Sequence, residues 1–459
     1  MRARLSDVVA ATGGRLAGGD AEFSGVSIDT RTLERGQLFF ALRGERFDGH
    51  AFLPAAAQKG AAAAVVERAG EHGLPQVVVR DTQAALTALA GAWRRRCQAA
   101  VLGVGGSNGK TTTKELLAAI LAEAGPTLAT RGNLNNHIGV PLTLLRLEPS
   151  HRFAVIEMGA NHPGEIAALA ALAAPSIALV TNAGDEHLEG FGDLAGVARA
   201  EGEMYAALPA DGTAVINADD PFHELWRTLA RTARVLRFGI ESQAEARATA
   251  IQGLIERGAF ATVFTLTLAG QQARVRLGLA GRHNVLNALG AAAAAHAAGV
   301  GLDAIVAGLA RVRPVGGRLQ LKAGPRGSWL IDDSYNANPS SVRAGVDVLC
   351  GLPGEHWLVL GEMAELGRET EASHIGVGDY ARRAGITRLF AMGDAARHAV
   401  AAFGASRAVW YDDASRLADA VAAGLDAGVT VLIKGSRVNR LERVVERLMQ
   451  PLAAAGNGN

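Results

Sequence analysis

Between residues 99 and about 312 the chain repeats one pattern. A short apolar run is followed by a few polar or glycine residues, and then by apolar positions at helical spacing. The runs Ala99–Val104, Phe153–Met158, Ile177–Thr181 and Thr213–Asn217 have the length of strands buried on both faces. Strands alternating with helices predict a mostly parallel sheet covered by helices on both sides. A break at Arg313-Pro314-Val315-Gly316-Gly317 marks a junction, beyond which the alternation resumes with Trp329–Ile331, Trp357–Leu360, Arg388–Met392 and Val429–Ile433. Before residue 97 the apolar runs are shorter, as in Gln37–Leu42 and Gln76–Val79, with glycine-rich turns and alanine-rich helices between them. The chain thus divides into three α/β units, 1–97, 98–313 and 314–459, with no solenoid-type repeat. The alanine runs Ala61–Ala64 and Ala291–Ala295 are too short to span a bilayer and are expected to be tightly packed helices. The final Gly456-Asn457-Gly458-Asn459 is expected to be a frayed tail.

Composition narrows the function. A length of 459 residues exceeds one ordinary core and fits several domains. A formal net charge of +1 argues against bulk nucleic-acid binding and against an anionic membrane surface. Cys97 and Cys350 lie far apart, without metal spacing or a disulfide framework, which suits a reducing cytoplasm. The N-terminus Met1-Arg2-Ala3-Arg4-Leu5 lacks the apolar segment of a secretory signal. The expectation is a cytoplasmic protein without membrane insertion, acting as a monomer.

Candidate chemistry begins after the first central run, in Gly105-Gly106-Ser107-Asn108-Gly109-Lys110-Thr111-Thr112-Thr113. Glycines here let successive backbone N–H groups turn toward an anion, and the following helix aims its positive end at the same place. Lys110 would reach the terminal phosphates of a nucleoside triphosphate and the Thr111 hydroxyl would sit on magnesium. The general pattern places a glycine six residues before the lysine, where this chain has Val104. The helix is expected from about Thr112 through Leu121, with Gly125-Pro126 as its stop.

Ligands of open α/β sheets gather beyond the carboxyl ends of the strands. Glu157 closes one such strand and, with Thr111, makes a sensible magnesium site. His187 lies in the loop after Ile177–Thr181, where an ordinary loop histidine is as good a reading as a metal ligand. Glu201 falls on a helix that Asp193 should cap, and alone reads as a solvated carboxylate. Asn284 and Asn287 are one helical turn apart, either to pair with an adenine edge or, for Asn284, to cap the helix. In the last unit the dense polar loop Asp332–Ser341 and the segment Lys434-Gly435-Ser436-Arg437 both follow strands. Arg318, just past the junction, could lean over a triphosphate. The common placement of these groups predicts two domains closing over one site.

Several segments together resemble a family. They are Ser27-Ile28-Asp29-Thr30-Arg31-Thr32, Phe47-Asp48-Gly49-His50, the Gly-Ser-Asn-Gly-Lys-Thr loop and Gly132-Asn133-Leu134-Asn135-Asn136-His137-Ile138-Gly139. With them go Gly159-Ala160-Asn161-His162, Gly281-Arg282-His283-Asn284 and Asp332-Asp333-Ser334-Tyr335-Asn336-Ala337-Asn338-Pro339. In this order, over nearly the whole chain, they are similar to the Mur ligases of peptidoglycan synthesis. The Asp332–Pro339 loop resembles the branch that adds D-alanyl-D-alanine. The Asp-Asn-Pro-Arg motif of the branch adding the third amino acid is not found. The alternatives are that other branch, a folate polyglutamate ligase, or a catalytically silent nucleotide-binding regulator. The last would be expected to lose Lys110, Glu157 or His187, and all three are present.

The resemblance implies an N-terminal domain for a uridine nucleotide, a central phosphate-loop ATPase domain and a Rossmann-like C-terminal domain. It implies ATP and Mg2+ as cofactors, with UDP-N-acetylmuramoyl-tripeptide and D-alanyl-D-alanine as substrates and no nucleic acid. Gly105, Gly106, Ser107, Asn108, Gly109, Lys110 and Thr111 would hold the phosphates, Asn284 the adenine and Asp332 the ribose. Thr111, Glu157, His187 and Glu201 would bind metal, and Lys110, His187 and Arg318 would carry catalysis. Ser27, Arg31, Asn135, Asn136, His162, Asn336 and Asn338 would face the substrates. The family often has a carbamylated lysine where this chain has Glu201. The expectation is that Glu201 supplies a permanent carboxylate, without need of dissolved carbon dioxide.

Overall fold

A computed structural model of the chain describes residues 1–44, 47–185 and 188–449. Among these residues the central sheet has nine strands. They run in the order Gln271–Leu277, Ala259–Leu268, Ala246–Glu256, Arg234–Gly239, Thr213–Asn217, Ile177–Val180, Ala100–Gly105, Phe153–Glu157 and Thr127–Ala129. Every neighbouring pair from Ala246–Glu256 to Thr127–Ala129 is parallel. The remaining pairs are antiparallel, which corrects the expectation of unbroken strand–helix alternation up to residue 312. Two hairpins close there on Arg257-Gly258 and Ala269-Gly270, all four residues with positive φ between 47 and 85°. Two-residue turns of that hand match the twist of the strands they join.

Successive residues of the central strands are buried on opposite faces. Val101, Ala154, Ile156 and Ala178 join a core that continues without a break into Leu38, Phe40 and Val65 of the N-terminal unit. Leu102, Val104, Val155 and Leu179 face the other way, against Leu116, Leu117 and Ile120 and the alanines Ala291–Ala295. Alanine is the residue that lets the helix Arg282–Ala297 lie close against both the sheet and the neighbouring helix Lys110–Ala122.

The N-terminal sheet has the order Arg15–Ala17, Gln76–Val78, Ala63–Val66, Leu38–Phe40 and Val26–Ser27. Its middle strand corrects the helical reading of Ala61–Ala64: Ala63–Val66 is fully buried and paired on both sides. The small alanines and β-branched valines fit a strand covered on two faces better than they fit a one-turn helix. The C-terminal sheet runs Gln320–Ala323, Trp329–Asp333, Val429–Lys434, Glu355–Gly361, Arg388–Met392 and Ala408–Tyr411, parallel except for its first pair. A cleft of about 800 Å³ lies where this unit meets the carboxyl ends of the central strands.

Candidate active site

The strand Ala100–Gly105 sits between Phe153–Glu157 and Ile177–Val180, with Glu157 opposite Val104 and Val180 opposite Gly105. That register brings Glu157, the phosphate loop and Thr181 to one level at the end of the sheet. Val104 is still inside the strand and fully buried, which explains why no glycine stands there. The chain turns later. Gly106 has φ +111°, and a Cβ on it would lie 2.1 Å from Thr181 Oγ1. Gly109 has φ +84°, and a Cβ on it would lie 2.4 Å from Asn287 Oδ1. Only glycine fits these two positions. The helix starts at Lys110, two residues earlier than expected. The Lys110 ammonium donates to the Gly106 carbonyl at 2.6 Å and to the Ser107 carbonyl at 3.1 Å.

Glu157 is buried. Its Oε1 accepts from Asn135 Nδ2 at 2.8 Å and from Thr111 Oγ1 at 3.4 Å. Its Oε2 is buried with no hydrogen-bond partner among the described residues. A buried carboxylate oxygen without a partner is costly, and one set beside a threonine hydroxyl offers the hard oxygen donors that magnesium takes. The described residues contain no group of three or more histidine, cysteine or acidic residues placed to hold a metal. An ion on Glu157 and Thr111 would therefore complete its shell with phosphate and water oxygens. Glu201 is also buried, and its Oε2 accepts the Gly106 N–H at 2.7 Å. The helix Leu194–Ala206 that carries it begins at Asp193, whose carboxylate caps the Gly196 N–H as expected. His187 lies outside the described residues.

The C-terminal unit supplies the opposite wall. Arg318 rests over the Tyr335 ring, 4.5 Å from its centroid, and donates from Nη2 to Thr111 Oγ1 at 3.2 Å. Neighbouring strand residues point apart, and this separates the two aspartates. Asp333 lines the cleft, paired with Lys434 Nζ at 2.6 Å, whereas Asp332 turns away to Lys322 Nζ at 2.6 Å and Ser334 Oγ. The cleft-facing acid is therefore Asp333 rather than the expected Asp332. Burial raises the Asp333 carboxyl above the ordinary range, opposed by the Lys434 ammonium. Burial and, less strongly, Lys434 push the His283 imidazole down to about 4.

The other expected residues divide. Ser107, Asn108, Asn135, Asn136, Asn284, Asn336 and Asn338 line the cleft. Asn136 Oδ1 accepts the N–H groups of Ile138 and Gly139 and so shapes its own loop. Asn284 is not the cap: the helix begins at Arg282, and the Asn284 amide donates back to the Ala280 carbonyl. Asn287 donates to Asn284 Oδ1, a contact that leaves Asn287 packed under Gly109. His162 is exposed beside Glu165, and Ser27 and Arg31 lie in the N-terminal unit away from the cleft lining. Asn182, outside the candidates that the sequence offers, holds both the N–H and the carbonyl of Asn108 with its side chain. Its place just past the strand Ile177–Val180 was the available signal.

Family models match all three units: Mur ligase family, catalytic domain, over 22–94; Mur ligase middle domain over 104–295; and Mur ligase, glutamate ligase domain, over 317–437. The chain belongs to the Mur ligase family. It is 44% identical over 449 residues to the UDP-N-acetylmuramoyl-tripeptide–D-alanyl-D-alanine ligase of Escherichia coli (strain K12), covering 97% of this chain and 98% of that protein. Among solved structures it is similar to MurF from Acinetobacter baumannii, with a TM-score of 0.91, 34% identity and coverage of 98% and 99% of the two chains. MurF ligase from Thermotoga maritima in complex with ADP gives a TM-score of 0.81 at 27% identity, covering 92% of this chain and 96% of that one.

Proposed function

We propose that this chain is an ATP-dependent ligase joining D-alanyl-D-alanine to the terminal carboxylate of UDP-N-acetylmuramoyl-tripeptide. The products are the pentapeptide nucleotide, ADP and phosphate, for peptidoglycan synthesis in the cytoplasm. One observation carries the reading. In a chain 44% identical to a ligase of that name almost from end to end, Lys110, Arg318 and Glu157, whose second oxygen has no partner among the described residues, converge on one cleft.

The loop amides and Lys110 hold the ATP phosphates, and Arg318 reaches the same place from the other unit. A tripeptide carboxylate oxygen attacks the γ-phosphorus and ADP leaves, giving an acyl phosphate. The dipeptide amine then attacks the acyl carbon, loses a proton, and phosphate departs with the C–O bond that breaks. Phosphoryl transfer depends mainly on positioning and charge neutralisation, so residues that clamp oxygens are sufficient for the first half. Mg2+ would be held by Glu157 and Thr111, and at a second position by His187 and Glu201, to neutralise charge on the phosphates. Asn284 and Asn287 would meet the adenine, and Ser27 and Arg31 the uridine nucleotide. A single chain contains all three units, so a monomer suffices.

The test is phosphate release from ATP with UDP-N-acetylmuramoyl-tripeptide present. The reading predicts release that depends on added D-alanyl-D-alanine, one phosphate per amide formed. Equal release without the dipeptide, or none with it, overturns the reading.

A further inference from the structure

Asn108 has its backbone held by one domain and its side chain by another. Its N–H donates to Asn182 Oδ1 at 3.1 Å, and its carbonyl accepts from Thr181 Oγ1 at 2.6 Å and Asn182 Nδ2 at 2.9 Å. These contacts fix the direction of the side chain within the central unit. The carboxamide itself is engaged entirely across the cleft. Nδ2 donates to Ser340 Oγ at 3.0 Å, Ser340 Oγ donates to Asn338 Oδ1 at 3.1 Å, and Asn338 Nδ2 donates to Asn108 Oδ1 at 2.8 Å. The three side chains form a closed ring in which each donor meets one acceptor, an arrangement whose bonds strengthen one another.

The direction of the ring is fixed. Asn338 caps the helix Pro339–Cys350, with its Oδ1 accepting the Ser341 N–H at 2.9 Å. Its amide nitrogen must therefore point at the phosphate loop. Turning Asn108 over would set two N–H2 groups against each other. Serine, threonine or aspartate would cap this helix about as well, but none of them has an N–H to send outward. The choice of asparagine exceeds what the helix needs. Gly184 closes the ring from the third side, since a Cβ there would lie 2.9 Å from Asn108 Nδ2 and 3.4 Å from Ser340 Oγ.

We propose that Asn108, Asn338 and Ser340 are a closure latch, through which the phosphate loop engages the C-terminal domain once that domain has docked. The latch is a positioning device. Docking in the same geometry carries Arg318, held on Tyr335, to Thr111 Oγ1, so the latch and the arrival of the arginine at the phosphate site are one event. The inference rests on the phosphate-loop reading above.

Asn338→Ser keeps a helix cap but is too short to reach Asn108. Three measurements test it: calorimetric ADP affinity, X-ray scattering with Mg2+ and a non-hydrolysable ATP analogue, and kcat. ADP affinity should stay within about twofold, because the loop is intact. The ratio of closed to open protein should fall roughly fivefold to tenfold, the worth of one or two hydrogen bonds, and kcat should fall with the closed population. Gly184→Ala, which inserts a methyl group into the ring from the other domain, should give the same signature. The double variant Asn108→Ala with Asn338→Ser should be no worse than the weaker single variant, because both changes remove one ring. Wild-type scattering and kcat in Asn338→Ser, or losses that multiply in the double variant, overturn the latch. Failure of the wild-type protein to bind ADP overturns the phosphate-loop reading instead.

Discussion

Two buried carboxylates meet the phosphate loop in different ways. Glu157 is held by the side chains of Asn135 and Thr111, with one oxygen left without a partner among the described residues, while Glu201 accepts a backbone N–H from the loop itself. Glu201 thus anchors Gly106 through an acceptor and brings negative charge to the phosphate site through the same group. Glu201→Gln separates the two contributions, because the amide oxygen can still accept the Gly106 N–H. The expected result is a magnesium requirement raised about tenfold with a melting temperature close to wild type, since the hydrogen bond persists and the charge does not. A magnesium titration of the rate measures this, and an unchanged requirement contradicts a ligand role for Glu201. At this scale the sequence was informative wherever spacing along one strand or loop decides the chemistry, as for Lys110, Thr111 and Glu157. It was uninformative where the partner comes from a distant segment. Nothing near Asn108 announces Asn338, and nothing local tells Asp332 from Asp333, which differ only in which way the strand turns them.

Helices and turns impose a pH dependence of their own. His374, fully buried in the helix Thr370–Ala384, accepts the Met363 N–H on Nε2 and faces the Thr370 carbonyl with Nδ1, so the fold needs its neutral form. Burial lowers its pKa, and His283 at the start of the helix Arg282–Ala297 is pushed down to about 4. A histidine whose folded pKa is depressed binds its proton more readily unfolded. The stability from keeping it neutral is complete above the unfolded value of about 6.5 and is lost as pH falls toward the folded value. The histidine contribution, on the order of 1–3 kcal/mol, should be lost between about pH 7.5 and about pH 5. Urea denaturation reads it as the difference in pH slope between the wild type and the double variant His283→Asn with His374→Asn, because the raised Asp333 and Asp220 carboxyls act in the opposite direction. Equal slopes for the two proteins contradict this account. Element types were legible where apolar runs were bounded by glycine or proline. The two antiparallel pairs beyond Gly239 are not legible at helical spacing, because their signal, alternation closed by Arg257-Gly258 and Ala269-Gly270, has a period of two.

Over the whole molecule, one core joins the N-terminal unit to one face of the central sheet, while the C-terminal unit meets the central one through an apolar contact at Phe260 and Ala280 and across the cleft. Cores that cross from one unit to the next can be read only from assembled faces, which is why three units were legible in the sequence but not how they join. A closed cleft that excludes water is what an acyl phosphate needs, because it must meet an amine before it meets water. The central claim is that the tripeptide carboxylate, and not water, takes the γ-phosphoryl group. Running the reaction with both oxygens of the tripeptide's terminal carboxylate labelled with heavy oxygen tests it most directly. The account predicts that every phosphate released carries one labelled oxygen from the carboxylate, whereas unlabelled phosphate released in step with the amide product would contradict it.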